Sequence, residues 1–175
     1  MGIHSLLLAR LLGFVSLLLI SVSAPAFASQ DKAQLVLENS NEAPLSLSTL
    51  NIETAQLLEW HILHSTSKAH TRTVLMSLVY ASLAEGAKGR CAAGEEHILL
   101  WAKINPLNTV ENTQSVVYSS CLLSLEIVTP NDLIPPLKPA DVKDGIKLIS
   151  VDLSSETQRV IEYAMDKPHA GLTTR

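Results

Sequence analysis

The sequence predicts a mainly α fold: a small helical bundle of four to five helices with a minor two-stranded β element and one disulfide. Three observations carry that expectation. Val74 to Ala84 (VLMSLVYASLA) is an almost unbroken apolar run, and a helix apolar on every side belongs at the centre of a bundle. Asn108 to Val128 opens on a capping-box pair, Asn108 with Glu111, and then sets Val110, Val117, Cys121, Leu125 and Val128 along one helical face. Cys91 and Cys121 are the only two cysteines, and two cysteines in an exported chain most often pair.

Export is read from the first residues. Arg10 precedes an apolar run, Leu11 to Val22, and Ala26 and Ala28 follow it as small residues. That order describes a secretory signal peptide over residues 1–28, with cleavage between Ala28 and Ser29. A membrane anchor is the weaker reading, because twelve residues at about 1.5 Å each span about 18 Å of a roughly 30 Å hydrocarbon core. No cysteine follows the cleavage point to carry a lipid, and the mature chain is expected to have no membrane association. The full chain has a formal net charge of −4, and loss of Arg10 with the leader makes it one unit more negative. With no basic cluster, nucleic acid is excluded as a partner, since its phosphates demand concentrated Lys and Arg.

The rest of the chain is expected to form one domain. Residues 29–48 form a polar leader with one apolar patch, Ala33 to Glu38. Residues 49–128 form the helical core, in which Asn51 to His64 is a first helix with Ile52, Ala55, Leu58, Trp60, Ile62 and Leu63 on one side. Lys68 to Glu85 is a second helix, stopped at Gly86. Glu95 to Ile104 is a third, ended by Pro106, although Ile98, Leu100, Ala102 and Ile104 also alternate as a strand would. Residues 129–145 form a proline-rich connector, a stiff spacer laid over the surface or a docking segment of the polyproline kind. Residues 146–168 supply a strand, Ile146 to Leu153, suited to pairing with Ala33 to Glu38, and a last helix, Glu156 to Asp166. Residues 169–175 form a disordered tail.

Few residues suggest chemistry. His61 and His64 are three apart, so on a helix their imidazoles could converge on a metal ion, with Glu53, His70 or His97 as further ligands. The spacing is not that of a zinc protease, and two histidines on a polar helix face are usually only solvated. Glu95 and Glu96 beside His97 could offer a general base, but on a helix adjacent residues diverge by about 100° and helix-start acids are common for dipole reasons alone. Trp60, Tyr80, Trp101 and Tyr118 fit either core packing or a pocket between helices. The histidines also suggest a surface sensitive to mild acid. No catalytic residue, cofactor site or phosphate loop is identified.

Leu78 to Glu85, the Gly89 to Cys91 turn and a later helix bearing Cys121 together resemble the outline of small exported helical acid chaperones and of periplasmic immunity proteins of type VI secretion. The resemblance covers about fifty residues, is architectural, and carries no site across. It implies a non-catalytic periplasmic protein acting by contact with another protein of the cell envelope, as an inhibitor, immunity factor or chaperone-like protein. The alternative is a metal-dependent or hydrolytic envelope enzyme using His61, His64 and nearby carboxylates.

Overall fold

The apolar run that begins at Val74 is greasy on all sides because it is a β-strand covered on both faces. The computed structural model describes residues 34–35, 45–82, 91, 94–128 and 135–175. Its strands are β1 (Gln34–Leu35), β2 (Leu45–Ser46), β3 (Leu57–Lys68), β4 (Thr71–Ala81), β5 (Glu95–Ile104), β6 (Val110–Ser120), β7 (Leu125–Ile127), β8 (Ile146–Asp152), β9 (Thr157–Tyr163) and β10 (Leu172–Thr174). Strands β3 to β10 form one eight-stranded antiparallel sheet in which every strand lies beside its neighbours in sequence. Among the described residues the only helical pieces are 3-10 turns of three residues. The small α bundle is therefore corrected to an all-β meander.

Two cores lie on opposite sides of β4 and β5. On one face Val74, Met76 and Leu78 join Leu100, Ala102 and Ile104, and Leu47, Leu50 and Ile52 cover them. On the other face Leu75, Leu99 and Trp101 meet Leu148, Ile161, Tyr163 and Leu172, so the sheet curls until its last strands lie over its first. Long-range polar contacts fasten the curl. Trp101 Nε1 donates to the Pro168 carbonyl at 2.9 Å, and the Leu172 amide donates to Gln114 Oε1 at 2.5 Å. His64 Nδ1 meets Tyr163 Oη at 2.6 Å. Gly171, with φ of 81°, sits against the Gln114 amide in space that a Cβ would have to share, which is where glycine is required.

Each expected helix is a strand for a physical reason. A continuous apolar run is read equally well as a helix core or as a strand buried on both faces, and length misleads here because β4 is itself eleven residues long. In β3 the register slips between Leu57 and Glu59 and again between Ile62 and His64. In β6 it slips twice more, leaving Tyr118 and Glu111 without cross-strand partners. Each extra residue breaks two-residue alternation, and the surviving spacing of apolar residues imitates a helix. The first, second, third and fourth expected helices thus become β3, β4, β5, and β6 with β7. The last, Glu156 to Asp166, becomes β9. The helical resemblance to acid chaperones and immunity proteins goes with them.

The C-terminal expectations shift as well. Ile146 to Leu153 does contain a strand, but β8 pairs with β7 and β9 rather than with the apolar patch near Gln34, and β1 pairs with β2. The tail expected to be disordered holds β10 against β9. The connector is more than a surface spacer, since Leu137 and Val142 are buried in the second core. The signal peptide with its Ala28–Ser29 junction, residues 83–90 with Gly86 and Gly89, and residues 129–134 lie outside the described residues.

Candidate functional site

The Cys91–Cys121 disulfide is present, with a Cα–Cα distance of 5.5 Å. Cys121 does not sit inside a buried helix face; it opens the turn between β6 and β7 and is half-buried. That turn is held by short-range donors. The Ser124 amide donates to the Cys121 carbonyl at 3.3 Å, and the Leu123 amide to Ser120 Oγ at 2.9 Å. Glu96 Oε1 accepts from the Leu122 amide at 3.3 Å and from Ser82 Oγ. The β8–β9 turn abuts it, because the Leu153 amide donates to the Ser124 carbonyl at 2.9 Å. Asp152 organises that second turn by accepting from Ser154 and Ser155, which holds its carboxyl down at about 2.

Between the disulfide and the first residues of β5 lies an open cleft of about 680 Å³. Glu95, His97, Ser119 and Glu126 line it, with the disulfide on one wall. Strand geometry explains the grouping: residues two apart share a face, so Glu95 and His97 point together while Glu96 turns to the other side. His97 Nε2 lies 3.3 Å from Glu95 Oε2, and His97 pairs across the strands with Ser119. His97 is only 6% exposed. Burial lowers its pKa, opposed by the carboxylates of Glu95, Glu96 and Glu59. Its buried Nδ1 has no hydrogen-bond partner among the described residues, and its ring is tilted against that of Tyr118 at 5.8 Å.

Three leucines at this end face solvent: Leu122, Leu123 and Leu153, which are 47%, 56% and 53% exposed. All three lie in the two abutting turns, so backbone hydrogen bonds and the disulfide fix what would otherwise be mobile tips. They were missed because the stretch around Cys121 reads as a helix, in which no exposed turn is expected at Leu122 and Leu123. The one available signal was the cluster of serines around them, which favours turns.

His61 and His64 are brought to one face by the slip at Leu63, since they pair with Ser77 and Leu75 of β4. Each is already engaged: His61 Nε2 with Glu59 Oε1 at 2.7 Å, His64 Nδ1 with Tyr163. His70 is exposed in the β3–β4 turn, and Glu53 lies outside the strands. No group of three or more His, Cys, Asp or Glu close enough to hold a metal occurs among the described residues. Trp101 and Tyr118 are buried in the second core, while Trp60 and Tyr80 pack against the first.

The fold and this end of it define a class: an all-β, disulfide-fastened antiparallel meander with an acidic cleft rimmed by leucines. Compared with family models, curated proteins and solved structures, the chain shows no significant match to any of them.

Proposed function

We propose that the protein is exported and acts without catalysis, by contact with another protein of the cell envelope, in the manner of an inhibitor, immunity factor or chaperone-like protein. The observation that carries this reading is the set of Leu122, Leu123 and Leu153, all exposed on two abutting hydrogen-bonded turns, one of which carries Cys121 of the disulfide. A rigid apolar rim of this kind loses little conformational entropy when it is covered by a partner. The disulfide fits an oxidising compartment, in keeping with the signal peptide read from residues 1–28.

Site-specific photo-cross-linking in the producing cell tests it. A photoreactive residue at position 122 is expected to give a discrete adduct that disappears in L123D/L153D. The same residue at Leu107, an 83% exposed position in the β5–β6 turn at the other end of the sheet, is expected to give none. No adduct at 122, or identical adducts from both positions, would refute the reading.

A further inference from the structure

We infer that the outer edge of β6, from Asn112 to Val117, pairs with the same edge of a second copy of this chain, giving a two-fold symmetric dimer joined by an antiparallel strand pair. The inference goes beyond the protein-contact reading and does not depend on the leucine rim.

The edge is open because β7 is too short to cover it. β6 has 11 residues and β7 has 3, and the two pair at one position, Ser120 with Leu125. From Asn112 to Val117 the ladder to β5 runs without a shift, so every second residue turns its amide and carbonyl away from β5. Among the described residues no strand receives them. Asn112, Thr113 and Ser115 are exposed along this edge. A regular backbone with a free donor and acceptor at every second residue is complemented by another extended strand.

The side chains select a second copy as that strand. Edges are normally kept from pairing by lysine, proline, bulges or brevity. The two terminal strands of the sheet carry such protection: β3 has two bulges together with Glu59 and Lys68, and β10 has only 3 residues. Asn112 to Val117 (NTQSVV) has no charge, no proline and no bulge. Turned about a two-fold axis at Gln114, the strand sets Thr113 opposite Ser115, a hydroxyl pair of the kind that supports strand pairing, and Asn112 opposite Val116. No like charges meet. Glu111, just outside the regular stretch, faces Val117 of the copy and is already held by Lys103 Nζ at 2.8 Å. A contact about 20 Å long and one strand deep falls below the roughly 1,200 Å² of a standard interface, so the dimer is weak and reversible.

Sedimentation equilibrium of the intact, oxidised protein, with amide hydrogen exchange followed by NMR, tests the pairing. The protein is expected to pass from monomer at low micromolar concentration to dimer toward millimolar, and alternate amides from Asn112 to Val117 are expected to exchange more slowly in step. T113K/S115K sets lysine against lysine across the axis and is expected to weaken the dimer by about tenfold or more; T113E/S115E is expected to do the same. Both side chains are exposed, so each variant should keep the wild-type melting temperature. Mixing the lysine and glutamate variants is expected to restore a one-to-one heterodimer, which a merely structural effect of the substitutions would not do. A monomer at every concentration, a dimer that survives both variants, or a mixture that does not associate overturns the proposal. A dimer dissolved by L123D/L153D and not by T113K/S115K assigns self-association to the leucine rim and overturns it too.

Discussion

Tyr163 Oη lies 2.6 Å from His64 Nδ1, joining two residues 99 positions apart and tying β9 to the edge strand β3. The contact closes the curl of the sheet, and burial on both sides is recorded in the titration of the pair. The tyrosine is pushed up to about 12 and the histidine is lowered. The neutral form of each is the one that the fold favours.

Acid should therefore loosen the protein. His64 and His97 both have lowered pKa values in the fold, so the unfolded chain binds more protons once pH drops through the ordinary histidine value of 6.5. Stability falls with pH across that window and levels off below the folded-state values. Melting temperature measured from neutral pH into mild acid should show this decline. The slope should flatten in H64Q and again in H97Q; an unchanged slope in both variants would show that neither imidazole is responsible.

Loss of the disulfide should be costly without changing the architecture. It closes a loop with a sequence separation of 30, and on the chain-entropy model such a closure is worth about 3–4 kcal/mol. Urea unfolding of C91S/C121S beside the wild type measures the difference. The intact, oxidised protein should show no free thiol.

Tyr118→Phe should destabilise by about 1–3 kcal/mol. The Tyr118 hydroxyl accepts from the Leu137 amide at 3.4 Å and stands 3.0 Å from the fully buried Ser77 Oγ, so its removal strands two buried polar groups at once. Equilibrium denaturation of Y118F and of Y118F/S77A separates the two, since the second change removes one of the stranded groups and should recover part of the loss.

Leu75→Ala and Leu107→Ala should fall at opposite extremes. Leu75 is fully buried where the curled sheet meets itself, and its truncation should cost about 2–5 kcal/mol. Leu107 stands in solvent, and its truncation should change stability by about 0.5 kcal/mol or less. Chemical denaturation of both variants checks the contrast.

Metal analysis of protein prepared without a histidine tag should find no stoichiometric zinc, copper or iron, because His61 and His64 already bond to Glu59 and Tyr163. One equivalent of metal that vanishes in H61A would restore the enzyme reading set aside in favour of protein contact.

Some of this protein was legible in its sequence. The disulfide followed from cysteine number and compartment, and the strand at Ile146 to Leu153 was visible because no bulge interrupts its alternation. Trp101 and Tyr118 were placed correctly as candidates for the core. The sheet as a whole was hidden by specific residues. Leu63, Glu111 and Tyr118 occupy bulges that turn two-residue alternation into apparent helical spacing. The β3–β4 hairpin turns through Ala69 and His70, both with positive φ, where Asn-Gly would have advertised the turn. Glu95 and His97 were both noticed, yet their convergence exists only on a strand. The leucine rim was invisible for the same reason, since its exposure depends on Cys121 lying in a turn.

The meander, in which each strand from β3 to β10 lies beside its neighbours in the chain, carries a consequence for how the molecule assembles. Hairpins can zip in succession with little loop entropy to overcome, whereas the three fasteners of the curl span 58, 67 and 99 residues and must wait for both halves. Substitutions at Trp101, Gln114 or Tyr163 should therefore speed unfolding far more than they slow folding, with φ-values near zero.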